Sequence, residues 1–212
     1  MKWPGIEEMA GMYQLPDGYR YQQLTRADVP TLAEAISRWY PDIGVGIASC
    51  YLRESFYTEK VFLRGEAEKD FYVVLLKYGE ELAGMGSWER EPDALTLYAR
   101  LAVISPEHRG AQIASRSIEF TVNLARAMGA GFVYGMATLR RPQMQLALER
   151  AGYRLLGFVP GYDRESVAPG VIKRVYDAVY GKVLVPEEDL IRPDPAQMSP
   201  KARALFEMLF PE

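Results

Sequence analysis

The chain has 212 residues, 49% of them apolar and 25% charged, and a net charge of −3. That is globular composition at a length for one large domain with appendages, and it excludes collagen, coiled coil and wholesale disorder. The acidic balance argues against nucleic acid as a partner, and one Cys with one His builds neither a disulfide nor an ordinary zinc site, so no metal is expected.

There is no apolar run of about 18 residues, so no membrane span is expected. Residues 1–17 lack a basic patch followed by an apolar stretch, so they do not read as a secretory signal, and a cytoplasmic protein is the expectation. These residues, with Pro4, Gly5, Gly11 and Pro16, read as an arm leaning on the body. Residues 19–24 read as a short strand. Thr25 then caps a helix whose apolar residues Leu32, Ala35, Ile36 and Trp39 recur at helical spacing, until Pro41 stops it. A Gly-containing loop follows, then a second helix over 50–64. Residues 71–76 and 81–88 form a hairpin across a turn at 77–80, and 95–104 adds a third strand. Gly84 and Gly86 mark a bulge or a close backbone approach.

Pro106 and Gly110 lead from that strand into a helix ending near Met128, before Gly129 and Gly131. A strand over 131–138, a helix over 142–150, and strands over 152–159 and 171–180 complete the body. The order describes a mixed sheet with helices on both faces. The domain is expected over 18–185, with a Pro-rich extension over 186–212 that ends in a short amphipathic helix. Leu205, Phe206, Leu209 and Phe210 would pack there on the chain itself or on a second copy, which makes a homodimer an expectation.

One segment carries chemistry. From Leu101 to Ala114 a strand ends, a tight loop turns, and a helix begins. The first turn of a helix leaves about four backbone N–H groups unpaired, and together with the helix dipole these attract anions. Gly110, Ala111 and Ala114 are small enough to let a pyrophosphate approach, and Arg109 adds charge. The segment is neither a Walker A loop nor a Rossmann fingerprint.

It resembles the central signature of the GNAT acetyltransferase superfamily, Arg/Gln-x-x-Gly-x-Gly/Ala after a strand that commonly ends in Val-x-Pro-Glu-x-Arg. Arg109 and Ala114 match, while Gln112 stands where glycine is usual. Gly152 and Tyr153 match the end of that family's Tyr-x-x-x-Gly-Phe pattern. The order of elements fits over roughly three-quarters of the chain.

The resemblance implies an α/β (α+β) fold: a mixed, mostly antiparallel twisted sheet with two central parallel strands that splay apart. It implies acetyl-CoA, or another acyl-CoA, as co-substrate and a small-molecule or peptide amine as acceptor. Backbone groups of Leu101, Ala102 and Val103 would bind the pantetheine arm. Those of Arg109, Gly110, Ala111, Gln112, Ile113, Ala114 and Ser115 would hold the pyrophosphate. The family's usual glutamate base falls at Ala99 and Arg100, its tyrosine acid at Leu148, and a frequent asparagine at Arg141. Glu89, Glu91 and Tyr98 are therefore the candidate catalytic residues. Tyr51, Phe56, Tyr57, Trp39 and Tyr40 could line an acceptor pocket or pack the core. His108 would cap the loop or touch pyrophosphate, Arg140 and Arg141 would meet phosphates or solvent, and Cys50 reads as a small packed residue. The alternative function is a binding module for acyl-CoA or another small molecule that performs no transfer.

Overall fold

The computed structural model describes residues 1–110 and 112–211. The body is one sheet covered on both faces. Its strands are β1 (Tyr19–Gln23), β2 (Val61–Phe62), β3 (Phe71–Tyr78), β4 (Glu81–Glu91), β5 (Thr96–Ile104), β6 (Phe132–Thr138), β7 (Arg154–Ala168) and β8 (Val171–Val183). They lie in the order β1-β3-β4-β5-β6-β8-β7, with β2 also paired to β3. Along that path only β5 and β6 run parallel.

Strand alternation sorts the apolar residues into two cores. Val73, Leu75, Met85 and Val103 point to one face and pack under α1 (Val29–Trp39), the 3-10 turn Ile47–Leu52 and α2 (Glu54–Lys60). Val74, Leu76, Leu97 and Val133 point to the other, under α3 (Ile113–Ala127) and α4 (Gln143–Arg150). A buried bond ties α3 to the sheet: Trp88 Nε1 donates to Thr121 Oγ1 at 3.0 Å. The N-terminal arm closes that second core with Trp3, Ile6 and Met9. Trp3 stacks on Tyr72 at 4.9 Å, and its indole N–H donates to the Lys69 carbonyl at 2.8 Å.

Two expectations change. The helix over 50–64 is broken: Arg53 is extended (φ −111°, ψ 122°), α2 covers only Glu54–Lys60, and Val61–Phe62 pairs with β3. Packing decides this. Tyr51 and Tyr57 are both fully buried, and the Tyr57 hydroxyl donates to the Tyr51 carbonyl at 2.8 Å. The last two strands outrun their expected ends at 159 and 180. Asp163 to Ser166, beyond the first of those ends, pairs continuously with Val175 to Ile172, and the two strands, interrupted by three register shifts along their length, form a hairpin arm. Gly84 behaves as expected, since a Cβ there would meet the Val103 carbonyl.

The C-terminal helix α5 (Pro200–Leu209) contributes no buried residue, and Ile191 before it is 97% exposed. Among the described residues no helix is long and apolar enough to cross a membrane.

Candidate functional site

The site begins where the sheet opens. β5 and β6 pair only from Thr96↔Phe132 to Ala99↔Gly135. At that point β5 carries an extra residue: Trp88 faces Ala99 and Ser87 faces Leu101, so Arg100 is a bulge. A bulge bends and twists its strand, and here it turns β5 away from β6. β5 continues along β4 to Ile104 while β6 continues along β8 to Thr138.

Backbone polar groups alternate in direction along a strand. The Ser105 N–H donates to the Ala83 carbonyl on β4, whereas the Ile104 N–H and carbonyl meet the Tyr40 hydroxyl, at 3.4 and 3.1 Å. Ile104 and Ala102 therefore present their main-chain groups to the split, and Leu101 and Val103 present theirs to β4. Ala102 is solvent-exposed although it lies mid-sheet. The missing neighbour strand leaves it open. Ile104 was not named from the sequence, because finding it requires the register beyond the bulge.

The split leads to the N-terminus of α3. Gly110 (φ 89°) and Gln112 (φ 57°, ψ 11°) are both left-handed. An L-residue in that region costs about 1–2 kcal/mol, so Gln112 holds the backbone that the family's glycine would adopt freely. Gln112, Ala114 and Ser115 are exposed, and the first-turn amides of α3 face outward with the positive end of the dipole. A Cβ on Gly110 would meet nothing within 4 Å, so there is room for a bulky anion. Ala111 lies outside the described residues. Arg109 lays its guanidinium 5.1 Å from the Tyr40 ring centre, and its Nε donates to the Ile104 carbonyl at 3.4 Å. His108 turns toward β1, where its Nδ1 lies 2.7 Å from the Tyr19 hydroxyl.

On the α1–α2 face, beside the bulge, lies a cleft of about 710 Å³. Glu89 and Arg100 line it together, 3.2 Å apart. Glu89 is paired across the strands with Tyr98. Burial raises the Glu89 carboxyl above its usual range; Arg100 opposes that, and Glu91 and Asp70 add to it. Glu91 is committed elsewhere, accepting from the Tyr134 hydroxyl at 2.7 Å. Tyr98 is buried between the Tyr134 ring (4.5 Å, stacked) and the Arg100 guanidinium (4.8 Å). Its phenol is pushed up, by burial first and then by Tyr162, and stays neutral.

Of the aromatic candidates, Phe56 lines the cleft and Tyr40 guards the split, while Tyr51 and Tyr57 are core. Trp39 lines a separate surface depression beside Arg38 and Glu81. Cys50 also lines the cleft, half-buried, with its thiol raised by burial. Arg140 pairs with Glu165 at 2.9 Å. Arg100 and Phe71, which the sequence does not single out as site residues, also line the cleft. The available signal was a charge inside the apolar run from Leu97 to Ile104.

A model of the acetyltransferase (GNAT) family matches residues 31–158. This chain belongs to the GNAT acetyltransferase family. Its fold is shared with solved GNAT structures. Mutant forms of the spermidine/spermine N-acetyltransferase SpeG from Vibrio cholerae align with TM-score 0.64 and 11% identity, covering 79% of this chain and 95% of that one. A GNAT acetyltransferase from Elizabethkingia anophelis with acetyl-CoA bound aligns with TM-score 0.58 and 11% identity, covering 80% and 100%. The ribosomal-protein-S5-alanine acetyltransferase from Vibrio fischeri aligns with TM-score 0.60 and 11% identity, covering 81% and 96%. No curated protein matches the sequence. As a GNAT protein the chain is built for acyl transfer. Leu148, at the family's usual tyrosine position, is a core residue 7% exposed and holds no acid.

Proposed function

We propose that the chain is an N-acyltransferase that moves an acetyl or other acyl group from acyl-CoA to a primary amine by direct attack. The observation that carries this reading is the β5–β6 split, which opens toward the α3 N-terminus and is flanked by the half-buried Glu89 carboxylate. In this reading residues 18–185 form the catalytic domain, with 1–17 and 186–212 as its arm and extension.

Acyl-CoA supplies the activated thioester carbonyl. The outward backbone groups of Ala102 and Ile104 are suited to the amide-rich pantetheine arm. The α3 amides from Gln112 to Ser115, with Gly110 beside them, are suited to the pyrophosphate. Tyr40 and Arg109 cover the Ile104 carbonyl and must move for that contact to form. Glu89 accepts the proton that the amine loses as its nitrogen bonds to the acyl carbon, and the carbon–sulfur bond breaks to release CoA as its thiolate, which takes a proton from solvent. A base whose affinity for protons is raised by burial is better matched to an amine than an ordinary surface carboxylate. Tyr98, held neutral, orients groups by hydrogen bonding, and Glu91 acts through Tyr134.

A second reading is a GNAT fold that binds acyl-CoA without transfer. Arg100 and Leu148, which stand where the family has its base and acid, favour it. Isothermal titration with acetyl-CoA and with CoA tests the shared part: micromolar binding, about −8 kcal/mol, is expected. Thiol release in an amine screen separates the two, since any turnover excludes the binding module. The extension is proposed as a dimer contact, and truncation after Val185 should then lower the mass found in sedimentation.

A further inference from the structure

Arg100 is an unusual residue to find at the centre of a sheet. Its side chain is only 14% exposed. The guanidinium lies over Tyr98 at 4.8 Å and near the Phe71 ring at 5.4 Å. A guanidinium stacked in this way keeps its N–H edge available for in-plane partners, and its five donors suit a carboxylate. Glu89 meets one nitrogen, Nη1, at 3.2 Å, and the Tyr51 and Tyr162 hydroxyls lie nearby.

The other charges in the cleft are occupied or peripheral. Glu68 and Asp70 both pair with Arg90, at 2.7 and 3.0 Å. The Lys69 ammonium donates to the Thr58 carbonyl at 2.7 Å. Glu59 and Lys60 are exposed at the rim. One cation and one anion remain side by side at the inner end, next to the point where β5 leaves β6. The rest of that end is apolar: Ile47, Cys50, Phe56 and Phe71.

We infer that the acceptor is a free α-amino acid with an apolar side chain, its carboxylate on Arg100, its amine on Glu89 and its side chain against Phe56 and Phe71. Neighbouring opposite charges match a ligand whose amine and carboxylate are one carbon apart. An amine drawn onto Glu89 competes for the ion-pair partner of Arg100, and only a ligand that brings its own carboxylate replaces that partner. A polyamine brings none, and a protein N-terminus has an amide where the carboxylate is needed, which gives discrimination against both.

This rests on the acyltransferase reading for the site's role, but it is tested by binding alone. L-phenylalanine and 2-phenylethylamine, which share a ring and an ammonium and differ in the carboxylate, are titrated into the protein with and without saturating CoA. Phenylalanine should bind at least about tenfold more tightly, and Arg100→Gln should abolish the difference while CoA affinity stays unchanged. Equal or tighter binding of phenylethylamine, or no binding of phenylalanine, overturns the inference. If Arg100→Gln fails to fold, the wild-type comparison alone decides. Failure of CoA to bind, with phenylalanine still preferred, would sink the acyltransferase reading and leave an amino-acid site at Arg100 and Glu89 without a donor.

Discussion

The two ends of the split are made of different material. At the end proposed for the phosphates the contacts on offer are main chain: the outward edge of β5, a left-handed turn at Gly110 and Gln112, and the first turn of α3. At the end proposed for the acceptor they are side chains brought by separate elements: Phe71 from β3, Glu89 from β4, Arg100 from β5 and Phe56 from α2. A main-chain site tolerates many sequences provided the turn forms. A side-chain site changes specificity with one substitution. A family can therefore keep a common donor and exchange acceptors.

The sharpest test of that contrast removes Trp3, which packs in the core under α3 and also hydrogen-bonds two residues that line the cleft. Trp3 binds the segment before β3 through its backbone N–H to Glu68 (2.8 Å) and its indole to Lys69. Trp3→Ala should cost about 3–5 kcal/mol of stability, read by denaturant unfolding. In the fraction that remains folded, CoA affinity should be near wild type. Equal losses at both ends would erase the distinction.

Glu89→Gln should lower kcat by about a hundredfold with little change in CoA affinity. The wild-type enzyme should gain activity as pH rises through the raised Glu89 pKa, because the base must be deprotonated, and the variant should lose that acidic limb. A pH–rate profile checks both. Ala114→Asp acts on the other end. A negative charge in the first turn of α3 should stabilise the helix by a few tenths of a kcal/mol yet weaken CoA binding about tenfold, since it repels the same anion that the dipole attracts. Opposite signs in thermal melting and titration are the signature. The smallest effect belongs to Gln112→Gly. Relief of the left-handed strain outweighs the extra freedom of the unfolded chain, for a net gain of about 0.5–1 kcal/mol and a Tm rise of about 1–4 °C.

What could be read from sequence follows the same divide. The phosphate end is local: strand, turn and helix within fourteen positions from Leu101 to Ala114, so periodicity and small residues identify it. Even the exception at Gln112 falls where the turn needs an unusual backbone. The cleft joins residues from Ile47 to Arg100, and seeing it requires the register of β4 against β5. In the sequence, Ala99 and Arg100 show only the lack of a base; Arg100 turns toward the cleft because of the bulge and the stacked rings. The second helix is shorter than its sequence suggests for a related reason. Two buried tyrosines, not local propensity, set its limits.

The bulge at Arg100 also gives β5 a phase. Beyond it, the even-numbered residues Ala102 and Ile104 turn their amides to the split. With one residue fewer, Ala99 and Leu101 would be consecutive opposite Trp88 and Ser87, so the ladder to β4 would close into a regular strand and the later amides would keep their edges. What would be lost is the bend that turns β5 away from β6. Substitution at position 100 changes one wall of the cleft; deletion there would straighten the strand and close the split that both ends share. Length in this segment is therefore held more tightly than identity, and sequence divergence here should proceed by replacement without insertion or loss.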